Sequence, residues 1–352
     1  LNSCKDILDS PLSKSYKRVI MRKFISTLAV ILSTVAVASC AVSAVQGVKA
    51  PTTQKGGLFG LVKQDSIKVD NDDAFKGADK VVIGSFKVGF FTEKDASSKA
   101  GRGFGGRASA DVALNGVSDS LRQEITNAAY SDFVSQLKAK GIKIVDRKEL
   151  TSDKDFAGSK TYDFPYDDGD IKYFSPAAIG NKSYFFMGES ADFTGGFAFG
   201  NPTVAAVNYV KNSGVKVISA LYVVDFVNTE GSGGSWASGA TMEVGQGVSV
   251  TNGSKLVIVG GEGGSFSNPN GSIYLGQSIY STKEFGTVKN TNSEAYVAAE
   301  TALNIATTLM GAGSNQSRSF EITADAGKYK AAAMEAVKDT NLAVIGQFGN
   351  LK

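Results

Sequence analysis

Val215 to Asn228 is the longest apolar run after residue 40, and it is rich in β-branched residues. Such side chains are stiff at χ1 and pack well on a pleated surface, so the run predicts a central strand. The rest of the chain must supply a sheet around it. Val81–Phe91 reads as a second strand, and Ile142–Val145 as a short third, closed by Asp146-Arg147. Further strands are expected at 241–250, 254–260 and 272–282. The turns between them, Asn252-Gly253 and Asn270-Gly271, give an antiparallel meander.

Helices are expected between these strands. Leu121, Ile125, Ala128, Ala129, Phe133 and Leu137 fall on one face at 3–4 spacing. Ser118 is placed as the N-cap, and Gly141 stops the helix. Asn201-Pro202 opens a second helix as cap and first residue, and Gly214 ends it. Helices are also expected at 293–310 and 326–338, with a short strand at 320–323 between them and an apolar segment at 342–348 closing the chain. The order predicts an α+β (or α/β layer) fold, a mixed sheet with helices packed on one face and an antiparallel meander. Residues 150–200 interleave Tyr and Phe with Asp and read as an irregular insertion or a binding loop.

Met21-Arg22-Lys23, followed by an apolar run from Phe24 to Ala38, has the layout of a bacterial secretory signal. The run is short for a span, which needs about 20 apolar residues. Val37-Ala38-Ser39-Cys40 is similar to the lipobox of lipoproteins, which makes Cys40 the expected lipidation site. Cleavage after Ala44 by ordinary signal peptidase is the competing reading and gives a soluble periplasmic protein. The expected organisation is an upstream mis-start at 1–20, a signal at 21–39, a tether at 40–75 and a folded region at 76–352.

Residues 1–39 hold six basic and two acidic residues, so 31 of 37 basic and 32 of 34 acidic residues remain after Ser39, a net charge of −1. The nominal basicity belongs to the leader and gives no argument for nucleic acid. The chain has no His, which excludes Ser-His-Asp and Cys-His catalysis and His-ligated zinc. Its two Cys are Cys4 and Cys40, so no disulfide forms within a chain starting at Cys40.

Gly101-Arg102-Gly103-Phe104-Gly105-Gly106 matches GxGxxG, but it stands too far from the preceding strand and the following helix for a phosphate loop. It reads as a flexible insertion carrying Arg102, with Arg107 just after it. Trp236, the one Trp, lies in a second Gly-rich stretch. There it either plugs the mouth of the core or stacks on a ligand. Arg102, Arg107 and Trp236 are the candidate binding-loop residues. Asp70-Asn71-Asp72-Asp73 lacks the Gly and distal Glu of a calcium loop and reads as a solvated turn. Asp163, Asp167, Asp168 and Asp170 read as solvated loop acids. No catalytic residue, metal or cofactor is assigned.

The strand Val81–Phe91, the helix Val117–Ala139 and the segment Gly141-Ile142-Lys143-Ile144-Val145-Asp146-Arg147 together resemble a bacterial envelope module. It occurs in the amino-terminal domain of the Tol-system translocation protein and in the curli secretion channel family. Val217–Phe226 resembles that family's "GADYLVVG" strand, with Ser219 and Asp225 standing where the family has glycine. The resemblance covers about 80–148 and 201–310, and 150–200 has no counterpart. It implies the fold and a lipid anchor. It also implies, as an alternative, a curli-type outer-membrane secretion channel subunit built from amphipathic hairpins. Gly245, Gly247 and Lys283-Glu284 make weak lipid-facing strands. The expected function is that of an exported, non-enzymatic lipoprotein of the outer membrane or periplasm. It binds an envelope protein partner or self-associates, and the membrane is reached through the anchor.

Overall fold

The computed structural model describes residues 41–48, 55–56, 62–63, 67–99, 106–189, 200–233, 240–260, 270–297, 300 and 315–352. Strands of three or more residues are numbered. The chain enters through β1 (Ala41–Val48) and β2 (Ile67–Asp70), then forms β3 (Lys80–Phe91), β4 (Glu93–Lys99) and β5 (Arg107–Asn115). Helix α1 (Asp119–Ala139), β6 (Lys143–Val145) and the short α2 (Arg147–Thr151) follow. The insertion supplies β7 (Tyr166–Asp168) and β8 (Ile171–Phe174) before α3 (Pro202–Ser213). Then come β9 (Lys216–Gly233), β10 (Ala240–Val250), β11 (Lys255–Val259), β12 (Asn270–Leu275), β13 (Gly286–Asn290), β14 (Asn315–Ala324) and α4 (Ala326–Leu351). The fold is α+β with mixed sheets.

The main sheet runs β7-β8-β3-β9-β11-β12-β2, and β3 and β9 at its centre are parallel. The expected central strand is thus central, and it is longer than the apolar run that announced it. Val224 pairs with Phe90 of β3 on one side and Val250 of β10 on the other. Beyond it, β9 continues to Gly233 with β10 alone beside it among the described strands. The register shifts between Asp225 and Val227. Asp225 Oδ1 holds that irregularity by accepting from the backbone N–H groups of Phe226 (2.8 Å) and Val227 (3.1 Å).

A second sheet, β13-β14-β5-β4, faces the outer half of β9 and β10. Ala108, Ala110, Val112 and Leu114 of β5 and Phe320 and Ile322 of β14 share a core with Met242, Val244 and Val248 of β10. The flanks of the expected Gly-rich loop, 93–99 and 107–115, are therefore antiparallel strands. Their outer positions Glu93, Asp95, Ser97 and Lys99 are exposed while Ala108, Ala110 and Val112 point inward, so a polar sequence still has one apolar face. Edge strand β4 turns Lys94 inward to an ion pair with the buried Asp225, one way in which sheet edges are kept from pairing with other chains.

Across this strand pair Asp95 stands opposite Asp111, and burial together with the Asp95 charge raises the Asp111 carboxyl above its ordinary range. A raised carboxylate opposes folding once it is ionised. Asp111→Asn is accordingly expected to raise the melting temperature at neutral pH, with the gain fading as acid protonates Asp111. Melting curves between pH 3 and 7 check this.

The two long helices lie on one face of the main sheet. Ile125, Ala129, Phe133 and Leu137 of α1 and Ala333, Val337, Val344 and Phe348 of α4 pack there with Val81, Ile83, Ile218 and Ala220. The opposite face, presented by Val82, Val217 and Val259, is covered by Tyr209 and Val210 of α3 and by Phe156 and Phe186 of the insertion. The caps fall where expected: the Ser118 side chain accepts from Leu121 N, Asn201 from Thr203 N, and Gly214 ends α3 at φ 67°. By contrast, α4 runs on to Leu351 through Asp339-Thr340-Asn341, and the 342–348 segment is part of it. Thr340 Oγ1 returns to Ala336 O (2.8 Å), and Asn341 Nδ2 donates to Ala129 O (3.1 Å) and Asp132 Oδ2 (2.8 Å), so these polar residues seat the helix on α1.

Strands β5 and β14 are parallel, and each leads directly into a long helix. At the first of these junctions Gly116 has φ +84°, and a Cβ there would meet Ala324 O at 2.5 Å. Gly116→Ala is expected to cost about 2 kcal/mol through the left-handed backbone and the clash, measured by urea denaturation.

The segment expected as a tether differs from expectation. Ala41–Val48 lies parallel to β10, with Ala41 opposite Thr241 and Val45 opposite Gly245. Ile67–Asp70 joins the main sheet, and Ala74 and Phe75 enter the core, where Phe75 meets Phe348 edge-on at 5.5 Å. The helix expected at 293–310 falls mostly outside the described residues, although 294–297 are helical. Among the described residues no helix is long and apolar enough to cross a membrane.

Candidate functional site

Cys40, Arg102 and Trp236 lie outside the described residues, but the strands that flank them are described. Ala41 pairs with Thr241, one residue past the point where Ala240 meets Gly233 across the β9–β10 hairpin. The next residue, Val42, donates its N–H to Gln316 Oε1 at 2.7 Å, which brings the start of β14 to the same place. Asn315 pairs with Arg107, and Arg107 with Lys99. Six strand ends therefore meet at one end of the molecule: the start of β1, the end of β4 and start of β5, the end of β9 and start of β10, and the start of β14. The strands that flank the three stretches singled out in the sequence, spread from Cys40 to Trp236, all end here. Arg107 is exposed there, as is Lys99.

Arg318 and Glu300 close the same region from inside. They form an ion pair, and Glu300 Oε1 also accepts from Ser317 N at 2.7 Å. Glu300 thus fixes the start of β14 by its backbone as well as by charge. The 101–106 motif lies between antiparallel strands β4 and β5, not between a strand and a helix, so it lacks the helix N-terminus that a phosphate loop uses.

A second polar cluster was not singled out in the sequence. Lys87 and Glu189 form an ion pair at 2.9 Å with neither side chain exposed to solvent. Lys87 Nζ donates to Ser85 Oγ (2.7 Å), Tyr184 O (2.7 Å) and Glu189 Oε1 (3.0 Å), which accounts for the three ammonium protons. Glu189 also accepts from the Ser219 hydroxyl and, at 2.8 Å, from Phe186 N. Ser85 and Ser183 exchange a hydrogen bond at 2.8 Å. Burial pushes the Lys87 ammonium below the ordinary lysine value, and the Glu189 carboxylate pulls it back up.

A serine beside a lysine can be a nucleophile and its base. Here the lysine is committed to a carboxylate and a carbonyl, and both groups are sealed under Phe185, whose ring centroid is 5.0 Å from Lys87 Nζ. The arrangement holds residues 183–189 onto the centre of the sheet. Ser85 and Lys87 were visible as the polar residues at i, i+2 within an apolar strand, which puts them on one face. Their partner Glu189 is about 100 residues away, so the sequence could not show that the face is paired.

Arg147, part of the Val-Asp-Arg segment, belongs to the same seam. Its Nε donates to Gly84 O at 3.1 Å, and its guanidinium lies over the Tyr184 ring at 5.4 Å. Arg147→Ala is expected to lower stability by about 2 kcal/mol, since it removes a charge-assisted hydrogen bond and a ring contact together, with urea denaturation as the check. Asp163, Asp167, Asp168 and Asp170, expected in loops, are exposed, with Asp167 and Asp168 lying in β7. Asp163 is 3.8 Å from Lys182, and no group of three His, Cys, Asp or Glu side chains converges among the described residues. Compared with family models, curated proteins and solved structures, the chain matches none.

Proposed function

We propose that this chain is an exported envelope lipoprotein, lipidated at Cys40, which binds a protein partner or a second copy of itself at the membrane and catalyses no reaction. The observation that carries this reading is the pairing of Ala41 with Thr241, which makes the residue after Cys40 part of the folded body. Cleavage before Cys40 leaves this strand whole, whereas cleavage after Ala44 removes its first four residues. The buried Lys87–Glu189 cluster is read as structural, because the ammonium donates to Ser85, Tyr184 O and Glu189.

The second reading, a curli-type channel subunit, draws on the two stacked hairpins β4–β5 and β9–β10 and on the resemblance of Val81–Arg147. The exposed face of β4, with Glu93, Asp95, Ser97 and Lys99, does not suit lipid in this arrangement, so a pore would need the hairpins to open. In-cell photo-crosslinking from position 168, exposed on edge strand β7, followed by sedimentation of the detergent-extracted protein, tests the proposal. Crosslinked adducts of defined mass and a complex larger than a monomer are expected. A monomer at all concentrations with no adduct contradicts it. An oligomer that conducts ions in planar bilayers would favour the channel.

A further inference from the structure

We propose that the end of the molecule where Ala41, Lys99, Arg107, Gly233, Ala240 and Asn315 lie faces the lipid bilayer, with β1 acting as a fixed mount. This rests on the lipoprotein reading and adds to it an orientation and a contact surface. Acyl chains on Cys40 must sit in the leaflet, and one residue spans at most about 3.6 Å. Ala41 is therefore at the headgroups, and it is not free to move away from the body. It is held opposite Thr241, and its neighbour Val42 is bonded to Gln316 at 2.7 Å.

Whatever depth Ala41 takes, the ends of β4, β5, β9, β10 and β14 take as well. A flexible tether of thirty residues would fix nothing of the kind. Lys99 and Arg107 are exposed at the tip and paired across β4–β5, placing two cations where anionic headgroups lie, while the exposed Glu243 sits two residues further in, opposite Ser43. The far end of the body is marked by the start of β9, where Lys216 pairs with Val81 of β3, and by Lys143, which pairs with Lys80. With 18 residues in β9, the two ends are roughly 55 Å apart at about 3.3 Å per residue.

The test uses the full chain, extracted from the envelope and reconstituted in phosphatidylcholine–phosphatidylglycerol vesicles containing doxyl-labelled lipid. Trp236→Phe removes the one native Trp. In that background Arg107→Trp reports on the proposed contact end and Lys143→Trp on the far end, both exposed positions. Lys99→Trp repeats the first reading from the neighbouring strand if Arg107→Trp folds poorly.

The expected result is that vesicle flotation recovers the protein and that the doxyl lipid quenches Arg107→Trp or Lys99→Trp several-fold more than Lys143→Trp. Flotation with equal quenching at both ends overturns the orientation and leaves the anchor standing. Failure to float, with Cys40→Ala behaving identically, overturns the anchor and the orientation with it.

Discussion

Lys87→Met is expected to destabilise the protein by about 3–5 kcal/mol, because it leaves the Glu189 carboxylate buried without its cation. Glu189 keeps its bonds from Ser219 and Phe186 N, which do not neutralise a charge sealed from solvent. Glu189→Met should cost a similar amount by stranding the ammonium. The double substitution should recover more than half of either loss, since no unpaired charge remains and two apolar chains of similar length refill the space. Urea denaturation of the four proteins gives the cycle. Additive losses would mean that the two groups do not act as a pair. The same cycle followed by proteolysis should show cleavage concentrated in residues 183–189, which the pair holds to the sheet.

Phe86→Ala should cost about 3–5 kcal/mol, as truncation of a fully buried aromatic does when its site cannot collapse. Its ring lies within 5.1 Å of Phe133, 5.4 Å of Tyr130 and 5.6 Å of Tyr222, so it joins α1 to the centre of the sheet. The loss should appear with an unchanged denaturant slope if α1 and the sheet unfold together. A lower slope would show that α1 melts on its own.

Local chemistry was legible in the sequence and distant pairing was not. Ser118, Asn201-Pro202, Gly141 and Gly214 punctuate the helices through bonds to residues a few positions away, and each acts where the sequence placed it. Val215–Asn228 announced the central strand because both of its faces are apolar. The strand pair 93–99 and 107–115 escaped notice because its inward positions are filled by Ala, Ser and one Lys in β4, too little apolar contrast to mark a strand. Ala41–Val48 escaped for a different reason: it is a parallel strand whose partner lies about 200 residues away. The last helix was expected to end at 338, yet the polar Thr340 and Asn341 beyond it are buried and bonded within α4.

For the candidate site, the sequence named Cys40, Arg102, Arg107 and Trp236 without any indication that they belong together. Composition could suggest loops and an anchor. Only the registers of β1 with β10, β14 with β5 and β5 with β4 bring the flanks of those stretches to one end. The Lys87–Glu189 pair was missed because a lysine in a strand is ordinarily a solvated one, and its burial depends on an insertion with no regular pattern.

The most direct measurement is the intact mass of the protein purified from the membrane fraction, together with the fractionation of Cys40→Ala. The account predicts a chain that begins at Cys40 and carries a diacyl or triacyl modification, with the Cys40→Ala form released into the soluble fraction. An unmodified chain that begins near Val45 and is already soluble would contradict it. Such a chain would also have lost the first four residues of β1, and with them the pairing that mounts the body on its anchor.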